Sequence, residues 1–173
     1  MREHIKRALL LAFICALSAG TLGYFYQLTT PIINEQQIKA QISLQQEVLP
    51  QAKEFKEVTV NGNRVYLGLS NGDIVGGTAK ITVRGYGGNI ELIIGLNTNR
   101  NVTGVRVLSH NETPGLGEKA TKNEYLSQFI NRSSSDINTV KLITGATISS
   151  KAIRNGVKQG IDLISKAIEG YQK

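Results

Sequence analysis

A chain of 173 residues with 40% hydrophobic content is long enough for one modest globular unit plus an appendage, and excludes two ordinary domains. Its formal charge of +7 is scattered singly among acids, with no basic block and few aromatics, which argues against a nucleic-acid-binding surface. The single cysteine, Cys15, lies in an apolar run and excludes both a disulfide framework and a cysteine-based metal site.

After a short basic start, residues 1–7, the stretch 8–28 carries no charged side chain. About 20 apolar residues in a helix cross a bilayer core, so the spacing predicts a transmembrane helix over 8–28. Ala16-x-Ser18 also fits a signal-peptide processing site. Against cleavage, the apolar character continues through Leu22 and ends in Tyr24-Phe25-Tyr26, as an interfacial aromatic belt does. Arg2, Lys6 and Arg7 place residues 1–7 in the cytoplasm and everything after residue 28 outside a bacterial inner membrane. Cys15, Ser18 and Thr21, with Gly20 and Gly23, either form a face for neighbouring transmembrane helices or are ordinary small residues of a spanning helix.

Pro31 suits a first helical turn, and Ile32, Ile38, Ile42, Leu44 and Leu49 follow at loosely helical spacing before Pro50. This predicts a stalk helix over 29–54. From Phe55 the period falls to 2, opening a globular domain over 55–173. Asn61-Gly62 and Asn71-Gly72 signal hairpin turns, and β-branched runs through position 110 give further strands. Gly85, Gly87 and Gly88 around Tyr86 mark a bulge or a close approach of a ligand to the backbone. A helix is expected over 119–131, a strand over 136–143, and a last helix over about 149–169. In that helix Ile153, Val157, Ile161, Ile164 and Ile168 form one buried stripe, while Gly156 and Gly160 let it lie close to the sheet. The class is α+β, a bent antiparallel sheet with flanking helices.

Two stretches hold candidate chemistry. Thr144-Gly145-Ala146-Thr147 joins a strand end to a helix start, where free amides and the helix dipole favour an anion. Local physics alone prefers the plainer reading, in which Thr147 or Ser149 is only an N-cap. The second stretch runs from His110 to Gly117. His110 and Glu112 have the His-x-Glu spacing of zinc deaminases, but no Pro-Cys-x-x-Cys completes it. No Ser-His-Asp arrangement is supported either, so neither a metal nor a catalytic residue is expected.

Taken in order, the basic start and single span, GYGGNIELIIGL (85–96), VTGVRVLSHNETPGLGEK (102–119) and TGATISSKAI (144–153) resemble the G subunit of the Rnf, or Rsx, ion-translocating electron-transport complex. The C subunit of the sodium-translocating NADH:quinone reductase is a more distant relative. The resemblance implies an extracytoplasmic FMN-binding domain with FMN joined through its phosphate to Thr147 as a phosphoester. Thr144, Gly145 and Ala146 would shape the turn that a flavin transferase reads as it moves FMN from FAD and releases AMP. Glu112, Thr113, Gly115 and Leu116 would line the ring pocket, with Tyr86 nearby, either stacked on the flavin or buried in the core. The implied role is an electron-transfer subunit of a redox-driven ion translocase, partnered by other membrane subunits. The alternative is a flavin-free assembly subunit. The family commonly has an acid three positions before the first hydroxyl of the motif, where this chain has Lys141.

Overall fold

The computed structural model describes residues 2–171, with side chains described except at positions 2–4, 8, 9, 25 and 27–40. Two compact units divide it, residues 1–41 and 42–173. The described residues of the first unit are helical, as part of α1 (Arg2–Val48), which continues into the second. Its apolar stretch Ile5–Tyr24 is 20 residues long with a mean hydropathy of 1.7. At 1.5 Å per residue that matches a hydrocarbon core of about 30 Å. Leu10, Leu11, Phe13, Ile14, Leu17 and Leu22 are each more than half exposed, as side chains meeting lipid would be. The Thr21 hydroxyl donates back to the Leu17 carbonyl at 3.0 Å, so this polar group needs no outside partner.

Pro31, expected to open a separate stalk helix, instead lies inside α1, which ends at Val48 rather than near residue 54. A proline gives up one backbone donor, a local loss that a long helix can continue past. Val48, Leu49 and Ala52 are buried.

The second unit is built on a five-stranded antiparallel meander in chain order: β1 (Glu54–Val60), β2 (Asn63–Ser70), β3 (Asp73–Arg84), β4 (Asn89–Asn97) and β5 (Val102–His110). Both Asn-Gly signals are the expected two-residue turns, with positive φ at Asn61, Gly62, Asn71 and Gly72. Register shifts at Gly68/Leu69, Glu91/Leu92 and Gly95/Leu96 mark bulges that bend the sheet.

One face of the sheet carries the core. Leu67, Ala79, Leu92, Ile94 and Leu96 pack with Ile153, Val157, Ile161, Ile164 and Ile168 of the last helix, which spans Thr147–Tyr171. That helix reaches the sheet through two glycines: a Cβ on Gly156 would stand 2.8 Å from Leu92 and Val83, and one on Gly160 2.5 Å from Ile94. The opposite face receives the end of α1. Gly95 and Gly104 pair across β4 and β5, and a Cβ on either would strike Val48. The Thr103 hydroxyl donates to the Val48 carbonyl at 2.5 Å, which locks this contact.

Between β5 and the last helix the expected elements do not form. In place of a helix over 119–131 there are a 3₁₀ turn at Gly117–Thr121, a short helix α2 (Asn123–Leu126) and a second 3₁₀ turn at Ser127–Phe129. Tyr125 and Phe129 are buried at helical spacing and meet edge to face at 5.4 Å, so the pattern was real although the helix around it is not continuous. The strand expected over 136–143 is also absent; Ile137–Thr139 is a 3₁₀ turn. Ile137 and Val140 are buried as core plugs, and alternation of such plugs imitates a strand. The last helix is α3.

Candidate functional site

The stretch Thr144 to Thr147 forms a tight turn leading straight into α3. Gly145 has φ +83, a left-handed conformation open to glycine, and the Ala146 amide donates to the Ile143 carbonyl at 3.0 Å. The first intrahelical bond is Ser150 N–H to the Ala146 carbonyl at 2.9 Å, so Ala146 holds the N-cap position with no polar side chain to cap it. The amides of Thr147, Ile148 and Ser149 consequently have no acceptor among the described residues.

The hydroxyls of this turn are used otherwise than as caps. Ser150 Oγ donates to the Ala146 carbonyl at 2.8 Å and accepts the Ile143 amide at 3.2 Å. Ser149 Oγ donates to Glu112 Oε2 at 2.5 Å. Thr147 is exposed, and its hydroxyl makes only a long 3.5 Å contact with the Ile143 carbonyl. The plain capping reading of Thr147 and Ser149 therefore does not describe this helix.

A cavity of about 380 Å³ opens at this turn, lined by Tyr86, Thr113, Leu116, Gly117 and residues 145–149. Tyr86 is 73% exposed, which rules out a buried core position for it; Leu116 and Ile148 are more than half exposed. Three apolar side chains thus stand uncovered beside three amides that lack acceptors. Such a pairing suits a ligand with a flat apolar part and an anionic part.

Of the residues singled out from the sequence, Tyr86, Thr113, Leu116, Gly145, Ala146 and Thr147 converge on the cavity. Thr144, Gly115 and Glu112 do not line it. Thr144 is exposed at the start of the turn. Gly115 lies on the outer side of its loop, where its amide donates to Glu118 Oε2 at 3.1 Å. That bond, followed by the positive charge of Lys122, holds the Glu118 carboxyl below the ordinary glutamate range.

Glu112 sits behind the wall, 5% exposed. Its Oε1 accepts the Gly87 amide at 3.1 Å, tying the β3–β4 turn to the loop after β5. A Cβ on Gly85 would strike Oε1 and one on Gly117 would strike Oε2, so glycine is needed on both sides of the carboxylate for space. Sequence reasoning missed Gly117, Ile148 and Ser149 as lining residues. Ile148 did carry a signal: it is a large apolar residue on α3 that falls outside the buried stripe.

The comparisons with known proteins meet on these elements. The FMN-binding domain family matches residues 85–162, from the β3–β4 turn into α3, and the RnfG N-terminal region family matches residues 1–48, a range that includes all of α1. The G subunit of the Na(+)-translocating ferredoxin:NAD(+) oxidoreductase complex of Acetobacterium woodii is 31% identical, over 91% of this chain and 90% of its own. The chain belongs to the G-subunit family of ion-translocating oxidoreductase complexes. Other family members include the G subunit of the ion-translocating oxidoreductase complex of Methanosarcina acetivorans, 32% identical over 95% of this chain and 96% of its own. The G subunit of the proton-translocating ferredoxin:NAD(+) oxidoreductase complex of Clostridium ljungdahlii is 29% identical over 90% and 88%. Among solved structures, the fold is similar to NqrC of Shewanella oneidensis, with a TM-score of 0.52 at 18% identity over 62% of this chain and 61% of that one. As a member of the G-subunit family, the chain carries an FMN-binding domain, and the cavity at residues 145–149 lies within the matched segment.

Proposed function

We propose that this G-subunit family member carries FMN covalently on Thr147 and serves as an electron-transfer station of a membrane-bound, ion-translocating oxidoreductase. The observation that carries this reading is the placement of Thr147: an exposed residue lining the cavity, at a helix start whose first three amides lack acceptors among the described residues. Those amides and the α3 dipole favour the phosphate. Tyr86, Leu116 and Ile148 offer apolar surface to the ring. Thr144, Gly145 and Ala146 shape the turn, while Thr113, Gly115 and Glu112 build the loop behind it. The flavin, once attached, supplies the one- and two-electron chemistry that no side chain of this domain has.

Attachment is a group transfer without net redox change. Thr147 Oγ1 forms a bond to the flavin-side phosphorus of FAD as the pyrophosphate P–O bond breaks. AMP leaves, and the hydroxyl proton passes to a base of the flavin transferase. Covalent retention suits a domain outside the membrane, and the basic residues 2–7 before an apolar span favour a cytoplasmic N-terminus with the 55–173 domain periplasmic. The partners in this reading are the other membrane subunits, reached through the span at 8–28 and the 29–54 segment. Electrons pass between ferredoxin-like and nicotinamide carriers.

Lys141, exposed where the family commonly has an acid, favours a second reading in which the chain is a flavin-free assembly subunit. Ultraviolet fluorescence of the protein band in a denaturing gel separates the two. With a matched flavin transferase co-expressed, wild type fluoresces and Thr147→Val is dark. A dark wild-type band, beside a control substrate that the same transferase modifies, would overturn the covalent reading and leave the assembly reading or a flavin bound without a covalent bond.

A further inference from the structure

The deepest charged group near the cavity is one whose work the flavin reading leaves unexplained. Glu112 is 5% exposed and makes no ion pair with any described residue. Each carboxylate oxygen accepts a donor: Oε1 takes the Gly87 amide at 3.1 Å, and Oε2 takes the Ser149 hydroxyl at 2.5 Å, a charge-assisted length. Both ring nitrogens of the nearby His110 are engaged away from the carboxylate, Nδ1 with the Glu112 amide at 3.2 Å and Nε2 with the Thr121 hydroxyl at 3.4 Å. Both carboxylate oxygens are thus met by neutral donors.

Its position relative to the cavity is equally specific. Gly117 and Ser149 line the cavity, Gly87 follows the lining residue Tyr86, and all three touch or bond this one carboxylate. Only a glycine stands between Oε2 and the lining at Gly117, and a Cβ there would collide with that oxygen. A burial cost of this kind, with no cation to offset it, is a poor packing device, because an apolar side chain would close the same wall. A fixed anion beside an electron-accepting group disfavours the added electron, most strongly where water is excluded.

We propose that Glu112 tunes the redox group of this domain: its buried carboxylate, pinned by Gly87 and Ser149 behind the cavity wall, lowers the midpoint potential of a flavin attached at Thr147. The inference rests on the Thr147 reading. Glu112 is a positioning and electrostatic residue here, since it reaches the flavin site through Gly117 and Ser149 and not by contact.

Spectroelectrochemical titration of the flavinylated full chain tests it, comparing wild type with Glu112→Gln and Ser149→Ala. The glutamine keeps an oxygen for Gly87 and removes the charge, so the midpoint potential shifts upward. Ser149→Ala keeps the charge and removes a donor that partly offsets it, so the potential shifts downward. Opposite signs are the signature of the charge, and a merely structural role moves both variants the same way or neither. An unshifted or lowered Glu112→Gln overturns the proposal, as do equal upward shifts. Should Glu112→Gln fail to fold or to take flavin, Ser149→Ala decides alone: a downward shift supports the proposal, and no shift or an upward one overturns it. Failure of the underlying reading is distinct, since wild type then shows no fluorescent band and the inference falls with it.

Discussion

Glycine does two different jobs around the cavity, and substitutions separate them. At Gly145 a Cβ meets nothing within 4 Å, yet φ is +83, so the constraint is conformational. Gly145→Ala costs about 1–2 kcal/mol from the left-handed backbone alone and tilts the turn that presents Thr147. The expected outcome is a fall of several degrees in the thermal midpoint, together with a weaker fluorescent band than wild type under equal transferase. At Gly117 the constraint is room beside Glu112. The first kind of glycine was legible in Thr-Gly-Ala-Thr, because a turn before a helix needs one. The second was not, because the atom that demands the space lies elsewhere in the chain. A titration belongs to this scale too. The Glu118 carboxyl is held low mainly by the Gly115 amide, so the unfolded state binds its proton at higher pH than the folded one. Its contribution is therefore full above the ordinary glutamate value, about 4.3, and is lost as pH falls through the lower folded value. The thermal-midpoint gap between wild type and Glu118→Gln should be open at neutral pH and close on the acid side of that range.

At the scale of elements, α3 was the most readable, since one stripe of Ile153, Val157, Ile161, Ile164 and Ile168 fixed its buried face and all five are buried. The meander was nearly as readable, through Asn-Gly turns and β-branched runs. The 111–146 segment was not. Its apolar residues fill gaps between β5 and α3, and gap-filling has no period of its own. Docking of the α1 end was equally hidden, since nothing local to Gly95 and Gly104 shows that Val48 packs against them. Gly95→Ala places a methyl onto the Val48 carbonyl, which is backbone and cannot turn aside. The expected loss is about 1–3 kcal/mol by denaturant unfolding, the range of overpacked cores.

For the whole molecule, the division at residues 41 and 42 predicts which fragment stands alone. A chain beginning at Ile42 keeps Val48, Leu49 and Ala52 buried against the sheet and should be soluble, with one cooperative unfolding transition. A chain beginning at Phe55 loses all three. Full burial of a valine or leucine contributes about 1.5–3 kcal/mol each, so this shorter fragment should unfold at markedly lower denaturant or aggregate. Equal midpoints for the two fragments would show that the α1 end contributes nothing to the domain. The expected boundary at 55 followed the change from helical to alternating pattern, but the packed unit begins about two helical turns before the end of α1.

The sequence by itself determined the apolar N-terminal stretch, the α+β class, the two Asn-Gly hairpin turns, the buried stripe of α3 and the turn that holds Thr147. Each of these is written in periodicity or in turn chemistry over a few neighbouring residues. The tertiary structure alone decided that Tyr86, Leu116 and Ile148 share one cavity, that Val48 packs on paired glycines, and that Glu112 is the tie behind the wall. Gly87 and Ser149 stand 25 and 37 residues from the carboxylate they hold. Contacts at such separation arise from how the meander and α3 close on each other, and a local pattern carries no record of that closure.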